Sequence, residues 1–168
     1  MQGSVVAIPA KSLFFIVAVF AGLLTPLPSH AQPGRVPAPL GWWLDPTGRA
    51  GILIAPCGTQ LCGHIDWLKH PLTPQGQPKT DIHNPDASLH SRPICGLPMV
   101  WGFVPDNGGG WAGGWIYDPE AGKTYKSIMH VQADGSLRVR GYIGIPLLGR
   151  SEVWTRPPAP LTRCKGPQ

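Results

Sequence analysis

The sequence is poor in charged residues and lacks the motifs of familiar catalytic sites. Its 168 residues include 14 Lys and Arg but only 9 Asp and Glu. The basic residues are scattered with no run of five, which argues against a nucleic-acid-binding surface. No nucleophile elbow, zinc-protease helix or phosphate-binding loop occurs. We therefore predict no catalytic residue, metal ligand or cofactor, and the question of an enzyme stays open with a preference against it.

Long apolar runs are also scarce, and the single clear one lies near the N-terminus. Lys11 precedes a run from Leu13 to Leu24, and the small residues Ser29 and Ala31 follow it. This three-part pattern is typical of a secretory signal peptide and too short to span a bilayer. We expect cleavage after residue 31, giving a periplasmic or secreted protein that does not span the membrane, with 13 − 9 = +4 charges once Lys11 is removed.

The four cysteines all lie after this segment, and an exported chain with an even cysteine count favours disulfides. Cys57 and Cys62 flank a short turn and are expected to form a hairpin disulfide, which we prefer to free thiols or a metal or redox site. Cys95 lies in an apolar row and is read as a buried thiol. A bond from Cys95 to Cys164 stays open as an alternative.

Apolar residues recur with a period of two, and Gly, Pro, Asp and Asn cluster between the runs. This pattern predicts antiparallel strands joined by turns. Eight sequential strands would form a small up-and-down β-barrel, an all-β fold that avoids exposed edges. The predicted strands cover residues 41–45, 49–56, 61–68, 94–104, 111–117, 123–131, 135–143 and 149–155.

The barrel domain is expected over residues 40–156, between a flexible leader at 32–39 and a loose tail at 157–168. The segment 69–93 shows no clear periodicity and is long for a hairpin loop, so we interpret it as a lid over the barrel mouth. Asn84 as an N-cap before Pro85 predicts one helical turn inside it.

Seven tryptophans are the most informative feature for function. Most would fill the core, and some could line a cavity for an apolar ligand. The leading hypothesis is noncatalytic binding of a small apolar or amphipathic molecule. The alternatives are a module that binds envelope glycan or protein through exposed tryptophans, and an enzyme whose residues meet only in the fold. The predicted ligand-binding residues are Trp67, Leu97, Met99, Trp101 and Trp115.

Several motifs together resemble a known bacterial family. They are Gly41-Trp-Trp43, Leu61-Cys-Gly-His-Ile-Asp-Trp-Leu68, Lys79-Thr-Asp-Ile-His-Asn-Pro-Asp86, Trp111-Ala-Gly-Gly-Trp-Ile-Tyr-Asp-Pro119 and Arg140-Gly-Tyr-Ile-Gly144. The family is known only as a domain of unknown function, number twenty-one forty-seven of its series. The resemblance spans about residues 40–156 and implies an envelope location without implying an activity.

A shorter motif is similar to that of lipocalin-type barrels. Those barrels carry Gly-x-Trp on the first strand and a basic residue on the last strand that covers the tryptophan. Gly41 and Trp43 match the first part, and Arg150, or else Arg156, would supply the cation of this barrel plug. A guanidinium over an indole would contribute about 0.5–2 kcal/mol.

Overall fold

A computed structural model describes residues 38–164 of the chain. The predicted signal peptide, the leader before residue 38 and the last four residues lie outside the described residues. The strands are β1 (Gly41–Leu44), β2 (Ala50–Cys57), β3 (Gln60–Leu68), β4 (Leu97–Pro105), β5 (Trp111–Asp118), β6 (Lys123–Val131), β7 (Leu137–Tyr142) and β8 (Gly149–Trp154). Two short 3-10 helices are η1 (Ala87–Leu89) and η2 (Pro146–Leu148).

All eight predicted strands are confirmed, with ends that differ by up to three residues. The predicted helical turn exists, but its N-cap is wrong. The Asp86 carboxylate accepts from the Ser88 amide at 2.9 Å and caps η1. The side-chain oxygen of Asn84 accepts instead from the Asp86 amide at 2.9 Å, so Asn84 forms the turn that precedes the cap.

The sheet follows chain order from β1 to β8, with every neighbouring pair antiparallel, and it curls into a half-barrel. Within the described residues its two edges meet at one bridge, Leu44 with Thr155. The two backbone hydrogen bonds of that bridge measure 2.8 and 3.1 Å. Because β1 has only four residues, most of β8 has a strand, β7, on one side only. The seam, where the β1 and β8 edges of the sheet approach each other, therefore stays open beyond the bridge.

The inward side chains of one end fill the barrel completely. Trp43, Phe103, Leu137 and Trp154 are all fully buried there. Strand alternation places them together, since Leu137 and Trp154 are direct partners across β7 and β8. This end forms a solid apolar floor, and any space inside the barrel has to lie above it.

A stacked arginine covers this floor at the seam. The guanidinium carbon of Arg156 lies 3.6 Å from the centre of the Trp43 ring. One nitrogen of the same group donates to the carbonyls of Leu40 at 2.8 Å and Trp42 at 3.1 Å. Gly41 lies beneath it with φ of +94°, and a Cβ there would be 3.2 Å from the Arg156 nitrogen. Glycine is required by both the left-handed backbone and the close approach.

The expected barrel plug is therefore present, but the choice of Arg150 as its cation is wrong. Arg150 pairs with Gly141 across β7 and β8, on the inward face of the sheet. Arg156 follows the bridge residue Thr155, which places it beside β1. Arg156 lies two positions beyond the end of the last strand, a detail that strand periodicity does not specify.

The tail is not loose where the structure describes it. Cys164 forms a disulfide with Cys95, and its amide donates to the Asp66 carbonyl at 2.7 Å. Arg163 lies 3.3 Å from the Asp66 carboxylate. These contacts correct both the loose tail and the buried thiol at Cys95. The hairpin disulfide between Cys57 and Cys62 is present as predicted.

The plug predicts different effects for two arginines. Arg156→Ala removes the ring contact and both carbonyl bonds, so we expect the free energy of unfolding in urea to fall by about 2 kcal/mol. Arg156→Lys should recover only part of this, because an ammonium cannot stack as a plane. Arg150→Ala, the matched control, should change stability little. Equal losses for Arg150 and Arg156 would contradict the plug.

The two disulfides should also differ in their effects on stability. Cys95–Cys164 joins residues 69 apart in sequence and Cys57–Cys62 residues 5 apart. The chain-entropy relation gives about 4 kcal/mol for the long loop and about 2 kcal/mol for the short one. Paired Cys→Ser variants compared by urea unfolding test this order. If removing the short hairpin bond costs more, the tail is not an integral part of the fold.

Candidate ligand-binding cavity

The four connections that follow the odd-numbered strands lie at one end of the barrel, which we call the mouth. Antiparallel strands alternate in direction, so the connections 45–49, 69–96, 119–122 and 143–148 share this end. The filled floor lies at the opposite end. Arg49 on the first connection and Glu120 on the third form a salt bridge of 2.8 Å. Both side chains are exposed, so this contact contributes little energy but marks how close the two turns are.

A large cavity opens at the mouth. Its volume is about 1250 Å³, and small-molecule sites typically measure about 300–1,000 Å³. The cavity extends from the mouth to the open seam, because residues of the 45–49 turn and of β8 both line it. Its apolar wall includes Ile65, Ile94, Met99, Ile116, Tyr125 and Val139.

One wall of the cavity, on β8, is charged. Arg150 and Glu152 both line it, and they alternate with Trp154, which lies in the floor. Their partners on β7 are Gly141 and Val139, which also line the cavity. The Glu152 carboxylate accepts from the Trp154 ring nitrogen at 3.1 Å. Arg150 has no ion-pair partner among the described residues, so its guanidinium is available to a polar group in the cavity.

A buried hydroxyl lies between cavity and floor. Ser127 is fully buried, and its hydroxyl has no hydrogen-bond partner in the described chain. It pairs with Gly141 across β6 and β7, directly beside the cavity wall. A buried polar atom without a partner costs free energy, but Ser127 is not one of the residues that line the cavity, so it is not part of the candidate site.

The long connection 69–96 is divided between two places. Its first part contributes Lys79, Ile82 and His83 to the cavity lining, which is compatible with the expected lid. A later part packs on the outside of the sheet, where Asn84 and Arg92 lie beside Trp101 in a second, smaller pocket of about 400 Å³.

A buried carboxylate fixes this connection to the sheet. Asp81 is fully buried. It accepts hydrogen bonds from Tyr117 on β5 and Arg92, both at 2.7 Å, and from Asn84 at 2.8 Å. Desolvation by burial would raise the pKa of Asp81, but the bonds from Arg92, Tyr117 and Asn84 outweigh it and lower that pKa overall.

The same network raises the pKa of Tyr117 to about 12. Burial of the phenol is the main cause, and the hydrogen bond to the Asp81 carboxylate adds to it. The ionised phenolate would face a carboxylate in a dry environment, so the proton is retained. The network is therefore a structural anchor with two ionisable groups in fixed charge states near neutral pH.

The predicted ligand-binding residues do not form one site. Met99 lines the cavity, and Leu97 is buried just below it in a cluster with Ile65 and Tyr117. Trp101 and Trp115 face each other across β4 and β5 on the outer surface, where Lys126 lies 5.9 Å from the Trp115 ring. The assignment of these two tryptophans to the cavity is wrong. Register shifts between β3 and β4, and between β5 and β6, break the expected alternation.

Trp67 is also outside the cavity. A register shift between β2 and β3 at Gly51 turns Trp67 to the outer face. A Cβ on Gly51 would approach both Trp67 and Leu161, so the tail lies directly against this ring. Trp67 anchors the tail and does not contact the cavity.

The sequence analysis did not assign several residues to the cavity, although the alternation of side chains along a strand could have identified some of them. Arg150, Glu152 and Trp154 alternate on β8, so a buried Trp154 places both charged residues inward. The Asp81 network carried no such signal, because its members come from one irregular loop and a distant strand. The described residues contain no group of three metal-binding side chains and no helix able to cross a membrane.

Comparison with known proteins places the chain in a sequence family and a fold. The profile described as "Uncharacterized protein conserved in bacteria (DUF2147)" matches residues 41–156. Among solved structures, the chain is similar to protein HP1028 from the human pathogen Helicobacter pylori, described as belonging to the lipocalin family. Identity is 17%, the match covers 73% of this chain and 82% of that chain, and the TM-score is 0.59. This likeness shows the fold. A search of the curated proteins finds none that matches.

The Asp81 anchor predicts a distinct response to alkaline pH. Tyr117 binds its proton more tightly when folded, so its contribution is complete below pH 10 and is lost as pH rises toward 12. Tyr117→Phe should cost about 2 kcal/mol near pH 7. Urea unfolding at several pH values should show this deficit shrinking above pH 10. Tyr142→Phe, outside the network, is the control, and a Tyr117→Phe deficit that is constant with pH would contradict the assignment.

Proposed function

This chain belongs to the bacterial family whose profile it matches, and from that starting point we propose that it is an exported binding protein for a small apolar or amphipathic molecule. The ligand would bind in the mouth cavity and be released without chemical change. The observation that carries the proposal is the 1250 Å³ cavity above a solid aromatic floor. Burying an apolar ligand there would be favourable by about 25 cal/mol per Å² of apolar surface removed from water.

The lining favours an amphipathic ligand over a purely apolar one. One side of the cavity is apolar and includes Ile65, Met99 and Ile116. Arg150 on β8 supplies a cationic group to the lining. A molecule with an apolar body and an anionic or polar end would satisfy both.

The expected location agrees with the covalent structure. Two disulfides are typical of proteins in an oxidising compartment such as the periplasm or the extracellular space. Export would rest on the predicted signal peptide. An envelope protein of this fold would encounter lipids, lipid fragments and other amphipathic molecules.

A second candidate function uses the outer face. Trp101 and Trp115 are direct cross-strand partners, and Trp115 is exposed beside Lys126. Adjacent aromatic rings on a sheet are suited to contact sugar rings or a protein surface. The segment around Asn84 and Arg92 covers one side of Trp101, which reduces the free area. We therefore rank this function below binding in the cavity.

A residue in the cavity wall allows a direct test. A Cβ on Gly141 would lie 3.5 Å from both Ile116 and Tyr125, an ordinary contact, and a longer side chain would extend into the cavity. Gly141→Leu should weaken binding of anilinonaphthalene sulfonate, an amphipathic anion, at least tenfold in a fluorescence titration. Gly141→Ala is the matched control and should bind like the unaltered protein.

Native mass spectrometry of protein purified from periplasm without detergent identifies the natural ligand. A bound mass should accompany the unaltered protein, disappear on denaturation, and be absent from Gly141→Leu. An apo mass under several growth conditions, together with equal dye binding by the two Gly141 variants, would reject the cavity as the binding site. A glycan or protein array probed with Trp115→Ala would then test the outer face.

A further inference from the structure

The exposed apolar side chains of this protein are gathered at one end. Among the described residues, the large hydrophobic side chains that are more than half exposed are Leu72, Ile82, Ile143, Ile145, Leu147 and Leu148. All of them lie on two connections at the mouth, 69–96 and 143–148. The turns at the floor end contain no large hydrophobic residue and are built mainly from Gly, Asp, Asn, Thr and Ser. Such an uneven distribution marks an interaction surface.

The connection between β7 and β8 is the most apolar part of this surface. Its sequence from residue 143 is Ile-Gly-Ile-Pro-Leu-Leu, without a charged or hydrogen-bonding side chain. Leu147 is 81% exposed and Leu148 72% exposed. We refer to residues 143–148 as the apolar tip. Leaving four aliphatic side chains in water is unfavourable unless another surface covers them.

Part of the backbone of the apolar tip is already hydrogen-bonded. Arg140 donates to the carbonyls of Pro146 at 2.6 Å and Leu147 at 3.1 Å. The Leu148 amide donates to the Ile145 carbonyl at 3.1 Å. Polar backbone groups moved into an apolar medium are costly when unpaired, so these bonds prepare the tip to leave water.

Cationic side chains flank the tip. Arg140 and Arg150 lie within three residues of it on β7 and β8, and Lys126 pairs with Tyr142 at its base. The one acid on these two strands, Glu152, accepts from the Trp154 ring at the floor of the cavity. An apolar tip with a basic collar is complementary to an anionic lipid surface, where the tip contacts acyl chains and the cations contact headgroups.

We propose that the apolar tip docks this protein, mouth first, onto a membrane surface that contains anionic lipid. Docking is peripheral and reversible, because one short loop inserts only to the boundary of headgroups and acyl chains. It places the cavity opening against the source of amphipathic molecules. The docking does not depend on the cavity being occupied, so it stands or falls separately from the proposed ligand binding.

Cosedimentation with vesicles tests this directly. Full mature protein is mixed with vesicles of equimolar phosphatidylcholine and phosphatidylglycerol, or of phosphatidylcholine alone. We expect binding to the anionic vesicles, several-fold weaker binding to the neutral ones, and weakening as salt is raised. The double variant Ile145→Glu with Leu147→Glu should lose at least tenfold in partitioning. Neither residue lines the cavity, so dye binding there should persist.

Val104→Glu is the matched control, because Val104 is an exposed aliphatic residue toward the floor end of β4. It should bind vesicles like the unaltered protein. Circular dichroism melting checks that each variant is folded, and the salt series on the unaltered protein needs no variant. No vesicle binding by the unaltered protein, or equal loss in Val104→Glu, would overturn the proposal. A dimer in light scattering that the double variant converts to monomer would identify the tip as a protein interface and also overturn it.

Discussion

The contact of Arg156 with the Trp43 ring is the interaction on which the rest of the half-barrel depends. A short β1 leaves the two edges of the sheet joined by one bridge, and an open edge of this kind invites pairing with other chains. Arg156 extends the junction because it donates to the carbonyls of Leu40 and Trp42 while covering the indole. The floor can then be packed solidly with aromatic residues, and the unfilled space is confined to the mouth.

The buried Asp81 has a comparable role for the long connection. An unpaired carboxylate in a protein interior is strongly unfavourable, whereas one that accepts three hydrogen bonds and faces an arginine is tolerated. The network joins an irregular segment to Tyr117 on the sheet. It explains how 28 residues with almost no regular structure hold one position, and why the Lys79–Asp86 motif combines polar residues with turn formers.

The sequence was sufficient for the fold because strand periodicity and turn chemistry are local properties. All eight strands, their order and the Cys57–Cys62 bond followed from neighbouring residues. The errors came from non-local features. Register shifts moved Trp67 and Trp101 to the outer face, the stacked cation proved to be Arg156 because it lies beyond the bridge, and Cys95 found its partner 69 residues away. Of the predicted site residues, Met99 reached the cavity wall, where it lies at the register shift between β3 and β4.

The solid floor also constrains kinetics. With one end of the barrel filled by Trp43, Phe103 and Trp154, a molecule in the cavity has to enter and leave through the mouth and the open seam that adjoins it. A connection that obstructs this shared path raises the barrier for both directions equally. Changes in the 69–96 connection at positions that do not line the cavity would then alter residence time and capture rate together and leave the equilibrium affinity nearly constant. Sequence variation at those positions can therefore tune the speed of exchange independently of which molecule is held.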